Sequence, residues 1–535
     1  MAAVDEPMLG SEPANGQITP GRPLGKVRKP EDVLDHLGSR HTRLVIAIVS
    51  CSLVWGFGAM SIMSSAFTSI DCGNCTGAMI TVVSEFQLRG DRAYLAEWST
   101  SFFMVGNMLG GSSLSYAADR WGRRPLLLLC LGSQAFFAML GAAAPSVHLF
   151  AICRLLQGAC YTGANLVAWV TAYEHTHTDL QTLHYLVSRR RATRIYEWLS
   201  IVDYSPPPHT DISTLLEPDD SPSPENVFTD LRSFTTFIFG TTWVIGYSAV
   251  ALLAYFSSTW RELMIWSAGS MFIFTLWCWR SVPETLHYLV SRRRATRIYE
   301  WLSIVDYSPP PHTDISTLLE PDDSPSPEKS SFFRELWAHK IFIAYCLIQL
   351  YLWTCDNFIY FGLSLYSTQL AGNPYANYLL MGLVEMPAYI LAPIWLERFG
   401  RKLVVSGSHF LAGVCFLLPA FSEAGSWVSL ACWLLGKFSI SCSFMSLFVY
   451  ASEVFPTPIR NVSVGLCSVL ARGGAIAAPY IRLLGAIWPT SPMFLLATIS
   501  IVASLLTCLL PETHRKPLPS SIRQLAPSTA ADNHP

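Results

Sequence analysis

Four charged residues interrupt otherwise apolar runs: Asp356 in 340–366, Glu385 in 376–396, Lys437 in 427–450 and Arg472 in 462–485. A charge in hydrocarbon costs at least ~2.5 kcal/mol even on lenient insertion scales, so each needs a partner or a ligand. Counting at a rise of ~1.5 Å per residue puts Glu385, Lys437 and Arg472 near mid-depth and Asp356 further outward. Two acids and two bases can simply neutralise one another as buried pairs. They can also bind a small ion, and a guanidinium such as that of Arg472 grips a carboxylate through two parallel hydrogen bonds. The run holding Asp356 is aromatic as well, with Tyr351, Trp353, Phe358, Tyr360 and Phe361. Such a stripe serves packing or lipid contact, but its ring faces, Tyr360 among them, also suit an organic cation.

A second set of charges lies between the runs. Asp119-Arg120-Trp121-Gly122-Arg123-Arg124 follows one run, and Glu397-Arg398-Phe399-Gly400-Arg401-Lys402 follows another. Both elements combine an acid, a glycine turn and two basic residues. Further on, Glu453 precedes Arg460 by seven residues, a spacing of two helical turns. Glu174 precedes Arg232 by the same spacing once Leu180–Asp230 is taken out. Acids and bases so placed can form ion pairs that make and break at a membrane edge.

These residues need a scaffold, and the composition says which kind. The chain has 535 residues, 51% of them hydrophobic and 14% charged, with mean hydropathy +0.34 and net charge −2. Soluble proteins carry about 25% charged residues, so an ordinary soluble domain, a disordered chain and a nucleic-acid binder are excluded. Apolar runs at 44–67, 95–117, 125–144, 149–172, 234–256 and 262–280, then 340–366, 376–396, 403–421, 427–450, 462–485 and 490–510, are each near the ~17–25 residues of a membrane span. The expected fold is an all-α membrane protein of twelve helices in two pseudosymmetric six-helix bundles, 43–280 and 339–511. A polar tail over 1–42, without the apolar core of a signal peptide, a linker over 281–338 and a tail over 512–535 complete the division. Most of the 14 cysteines fall in apolar runs, where a thiol packs as a small apolar group.

Lys and Arg concentrate in the connections after the second, sixth, eighth, tenth and twelfth runs, which assigns those and both termini to the cytoplasm. Asn74-Cys75-Thr76 then faces outside as a glycosylation acceptor. Thr182–Glu225 is identical to Thr285–Glu328 over 44 residues. Repeat architectures show diverged copies at several periods, so the first copy, within 180–230, reads as an anomalous insert and the second as part of the linker.

The paired glycine links, Tyr450-Ala451-Ser452-Glu453 with Arg460, Pro283-Glu284-Thr285, Pro511-Glu512-Thr513, Arg154-x-x-Gln157-Gly158 and Val384-Glu385-Met386-Pro387 together resemble the major facilitator superfamily. Within it they resemble the organic cation/anion/zwitterion transporters (solute carrier 22-like), with sugar porters as the nearest relatives. The resemblance covers nearly all of residues 31–520 except the first copy. Ser115 stands where the family usually has Gly, and the loop after the first run holds only Cys72 and Cys75 in place of a cysteine-rich ectodomain.

The resemblance implies alternating access, with the link charges Asp119, Arg123, Arg124, Glu174, Arg232, Glu397, Arg398, Arg401, Glu453 and Arg460 locking the two halves as a cytoplasmic gate. It also implies that Arg472 matches the basic position at which anion and zwitterion carriers hold a carboxylate. The expected activity is secondary transport of small organic ions, anions or zwitterions favoured, in the plasma membrane. Lys437, Asp356, Glu385 and Tyr360 complete the substrate site. A sugar-porter-like facilitator and a transport-inactive receptor or scaffold are the alternatives. There is no phosphate-binding G-x-x-x-x-G-K-[ST] loop, HExxH or nucleophile elbow, so neither an enzyme nor an ATP-driven pump is expected. No cofactor, metal or nucleic acid is implied. The partners are an organic ion and the bilayer, and no coupling ion is identified.

Overall fold

The computed structural model describes residues 42–70, 79–175, 224–292, 294–305, 340–422, 426–455, 460–514 and 516. These are almost wholly helical. The long helices are α1 (Thr42–Thr68), α2 (Tyr94–Trp121), α3 (Arg123–Ala142), α4 (Val147–His175), α5 (Pro224–Phe256) and α6 (Trp260–Ser281). After the linker come α7 (Lys340–Tyr366), α8 (Pro374–Phe399), α9 (Arg401–Phe421), α10 (Trp427–Val454), α11 (Ser463–Ile487) and α12 (Ser491–Thr507). Eight of the twelve are long and apolar enough to span a bilayer by themselves; α2, α4, α6 and α12 complete the series. Asn74, Cys72, Cys75, both tails, 306–339 and nearly all of the first copy lie outside the described residues.

Apolar packing alone does not bring helices this close. A Cβ on Gly246 of α5 would run into the Gly56 backbone of α1, so small residues let these backbones approach until they touch. One buried cluster joins the halves, with Met63, Phe67 and Tyr247 from the first and Trp353, Tyr378 and Phe416 from the second. The α2–α3 and α8–α9 links mark one end of the bundle, here the link end. Both turn on a glycine in the left-handed region, Gly122 at φ +112° and Gly400 at φ +85°.

Two helices are not the continuous spans expected. α8 breaks after Leu383 and resumes at Glu385, because Pro387 has no N–H for the Leu383 carbonyl and its ring crowds that carbonyl. α11 is interrupted at Ala471 and at Ala478–Tyr480, around Gly473-Gly474 and Pro479. Glu385 and Arg472 each open the segment that follows a break. α5 also begins ten residues before the apolar run, since hydrogen bonding carries a helix past the end of its apolar face.

The described part of the second copy folds as two short helices, Leu286–Ser291 and Ala295–Ile304, docked at the link end. Leu286, Leu289, Ile298 and Trp301 bury against Leu44 of α1, and Arg292 donates to the Asp119 carbonyl at 2.8 Å.

Candidate functional site

At mid-bundle, Lys437 Nζ on α10 lies 3.0 Å from Glu385 Oε1 on α8, both side chains 0% exposed. The ammonium also donates to Ser364 Oγ at 2.9 Å and stands 3.3 Å from the centre of the Tyr360 ring. Tyr360 and Tyr389 donate their hydroxyls to Glu385 Oε2 at 2.9 and 2.7 Å, and Trp243 Nε1 of α5 donates to the Tyr360 hydroxyl at 2.7 Å. Lys437, Glu385 and Tyr360 thus form one network that reaches across the halves through Trp243. A buried ion pair survives in hydrocarbon only when its remaining donors and acceptors are also met; here two tyrosine hydroxyls serve Glu385, and Ser364 and the Tyr360 carbonyl serve Lys437.

Asp356 stands apart from this network. His409 Nε2 on α9 lies 3.0 Å from Asp356 Oδ1, and Ser443 on α10 donates to Oδ2 at 3.0 Å. The expectation that Asp356 lies outward of the other charges is wrong. It is level with Ser443, six residues from Lys437 along α10 and about 9 Å nearer the link end at ~1.5 Å per residue. Residue counts give distance along one helix but not the level at which that helix starts relative to its neighbours. Cys355 Sγ lies within 4.8 Å of this pair. His409 is already engaged at both ring nitrogens, with the Val405 carbonyl 2.9 Å from Nδ1 and Asp356 Oδ1 3.0 Å from Nε2.

Arg472 lies about halfway along α11 and donates to Asn107 Oδ1 of α2, in the other half. Thr162 of α4 donates to the Asn107 carbonyl at 2.8 Å. Among the described residues no acid pairs with Arg472. The idea that the four charges cancel two against two is therefore half met: Glu385 takes Lys437, whereas Asp356 takes His409. Arg154 of α4 also lacks an acid, but its contacts stay inside the first half, with the Ser61 carbonyl at 2.8 Å, Gln157 at 2.9 Å and the Phe103 ring.

The link charges repeat across the halves. Arg123 Nε donates to Glu174 at 2.8 Å, and Arg401 Nε to Glu453 at 3.0 Å; Asp119 and Glu397 each sit one turn before their arginine. Arg124 donates to the Trp279 carbonyl at 2.7 Å, and Arg398 lies over the Phe399 ring. The side chains of Arg232 and Arg460 lie outside the described residues. In this conformation the Arg123 and Arg401 pairs tie helices within a half, rather than one half to the other.

The Pro-Glu-Thr elements prove to be helix caps. Glu284 accepts from the backbone N–H of Arg123 and Arg124 at 3.0 and 3.2 Å, at the start of α3. Glu512 accepts from those of Arg401 and Lys402 at 3.0 Å each, at the start of α9. A carboxylate there satisfies orphan N–H groups and meets the positive end of the helix dipole.

Among the described residues, an ion pair between the halves lies at the opposite end. Arg482 of α11 donates to Glu97 of α2 at 2.7 Å, both buried, and nearby Thr368 donates to the Ala66 carbonyl at 3.3 Å. There too, Arg261 pairs with Glu85 at 2.6 Å and caps the end of α3 through the Ala144 carbonyl at 2.9 Å; its hydrogen bond holds the Glu85 carboxyl below the usual range. Glu97, Arg482 and His409 all fall inside the expected apolar runs. The criterion that found Asp356 finds them when it extends to run ends and to histidine, but Asn107 and Ser364 carry no such signal.

Comparisons with known proteins agree with this architecture. The profile of the family described as "Sugar (and other) transporter" matches residues 44–187 and 225–521. A Caenorhabditis elegans protein named "Putative transporter B0252.3" is 37% identical over 93% of this chain and 91% of its own length. The Drosophila melanogaster organic cation transporter protein is 28% identical, over 83% of this chain and 73% of its own. Mouse solute carrier family 22 member 3 is 27% identical over 83% and 72%. The solved Escherichia coli xylose transporter XylE, in a partially occluded inward open conformation, superposes with a TM-score of 0.58 at 14% identity, covering 89% of this chain and 99% of that one. With its paired glycine links, its breaks at Glu385 and Arg472 and this profile match, the chain belongs to the sugar (and other) transporter family of the major facilitator superfamily, as a transporter of the solute carrier 22 and sugar-porter type.

Proposed function

We propose that this protein carries small organic ions, anions or zwitterions by preference, through alternating access to a site between its halves. The observation that supports this is the surplus cation at the seam. Glu385 is matched by Lys437 and Asp356 by His409, while Arg472 donates to neutral Asn107 of the opposite half and, among the described residues, pairs with no acid. A guanidinium so placed favours a carboxylate, whose charge completes the balance. The link end then faces the cytoplasm by its excess of Lys and Arg, Asn74 faces outside and is glycosylated, and the plasma membrane is the site of action. The break in the family match over 188–224 falls within the first copy and supports reading that copy as an insert.

A second reading, organic cation transport, has its own support: the Tyr360 ring already holds an ammonium, that of Lys437, and two relatives are named for organic cations or the same carrier family. Purified protein in proteoliposomes, given radiolabelled hippurate, glycine betaine, tetraethylammonium and D-xylose, separates the readings. Saturable hippurate or betaine uptake, reduced at least tenfold in R472Q with normal incorporation, is the expected result. Uptake of tetraethylammonium alone, or hippurate uptake indifferent to R472Q, overturns the preference for anions. Uptake of none of the four favours the transport-inactive alternative.

A further inference from the structure

Counting donors and acceptors around His409 gives its proton content. Nδ1 faces the Val405 carbonyl at 2.9 Å, and a carbonyl oxygen only accepts, so Nδ1 carries a hydrogen. Nε2 faces Asp356 Oδ1 at 3.0 Å. Two bare lone pairs at that distance repel, so one proton lies between them. Ser443 supplies its own hydrogen to Oδ2 at 3.0 Å. Whichever atom holds the shared proton, the pair is net neutral. Its loss would strand a single carboxylate charge where both side chains are 0% exposed.

The groups facing the pair are few. α7 supplies the Cys355 thiol, which donates to the Ile499 carbonyl of α12 at 3.8 Å. α9 supplies the Val405 carbonyl and α10 supplies Ser443, whose Oγ also stands 3.3 and 3.2 Å from His409 Nδ1 and Nε2. Among the described residues no Lys or Arg pairs with Asp356, so the proton is its counter-charge. Asp356 also lies one turn from Tyr360 on α7, and Tyr360 donates to Glu385. α7 therefore joins the shared proton directly to the charged network at the seam.

We propose that Asp356 and His409 form a proton-binding site of the carrier, loaded in this conformation and emptied when α7 moves against α9 during the transport cycle. Loaded, the pair is neutral; emptied, it is a neutral imidazole beside a carboxylate, with the proton passed to water. A purely structural pin would keep its proton throughout.

The test needs no substrate. Full-length protein in proteoliposomes on a solid-supported membrane is given a pH step, and the transient charge movement is recorded. Native protein is expected to give a protein-dependent transient, reduced at least fivefold in both D356N and H409Q. H148Q, which removes an exposed histidine at the opposite end, should leave the transient intact. Gel filtration reports folding, and the double variant D356N with H409Q restores a neutral hydrogen-bonded pair should either single variant misfold. Absence of a transient in native protein overturns the proposal, as does an undiminished one in folded variants. A protein that moves none of the four uptake probes yet gives the transient leaves the proton site standing and only the substrate reading in question.

Discussion

Arg123 and Arg401 hold equivalent places in the two halves and meet equivalent partners. Each follows a left-handed glycine, pairs with an acid at the end of a neighbouring helix, and starts a helix capped by a Pro-Glu-Thr carboxylate. Eight or more residues deeper the likeness ends. The second half buries Glu385, Lys437, Asp356 and His409, whereas the first presents Asn107 and Trp243 towards the seam. The link end frames each bundle and both bundles need the same frame. The middle holds charge, and a single central site does not need two sets.

The largest effect that would break or sharpen this contrast is at Lys437. Lys437→Met strands the Glu385 charge, and breaking a buried pair costs about 3–5 kcal/mol, read as a lowered Tm in nanodiscs. Adding Glu385→Gln should recover most of it. Trp243→Phe, on the first-half side of the same network, loses one hydrogen bond and about 1 kcal/mol. Equal losses at the two positions would erase the contrast.

Next come the twin glycines. A Cβ at Gly122 would stand 2.7 Å from Glu284 Oε2, and one at Gly400 2.9 Å from Glu512 Oε2, both on backbone that disfavours L side chains. Gly122→Ala and Gly400→Ala should each cost about 1–3 kcal/mol by the same thermal assay. A large effect in one half alone would show that the link ends are not equivalent.

The smallest effects separate the caps by pH. Burial opposes ionisation of Glu512, but the N–H groups of His514, Arg401, Lys402 and Thr513 outweigh it and hold the carboxyl below its usual range. Its contribution is complete above the ordinary carboxylate range and lost as pH falls through the lowered value. Burial pushes the Glu284 carboxyl up instead, against the N–H groups of Arg124, Thr285 and Arg123. Its ionisation costs stability above the raised value, a cost relieved as pH falls. Glu512→Gln should flatten the acid side of a Tm–pH curve, and Glu284→Gln should remove a slope of the opposite sign. Slopes of the same sign would refute the distinction.

Much of this was legible before any coordinates. The glycine links, the acid seven residues before Arg460 and the charges within apolar runs announce themselves, because each is a local departure from a strong background. The caps were visible as repeated Pro-Glu-Thr elements but not as caps, since Glu284 and Glu512 act on helices more than a hundred residues away in the chain. His409 gives little signal because it is a single histidine in an apolar run, and Asn107 gives none because a lone amide barely changes hydropathy.

What the residues alone determine is the helical, membrane-spanning framework, because hydrocarbon forces every span to satisfy its own backbone and leaves turns and charges conspicuous. What only the tertiary structure decides is pairing: that Lys437 answers Glu385, that His409 answers Asp356, and that Arg472 is left to Asn107. Those choices depend on the level and rotation at which each helix is packed, and both are set by contacts with neighbouring helices rather than by the order of residues along any one of them.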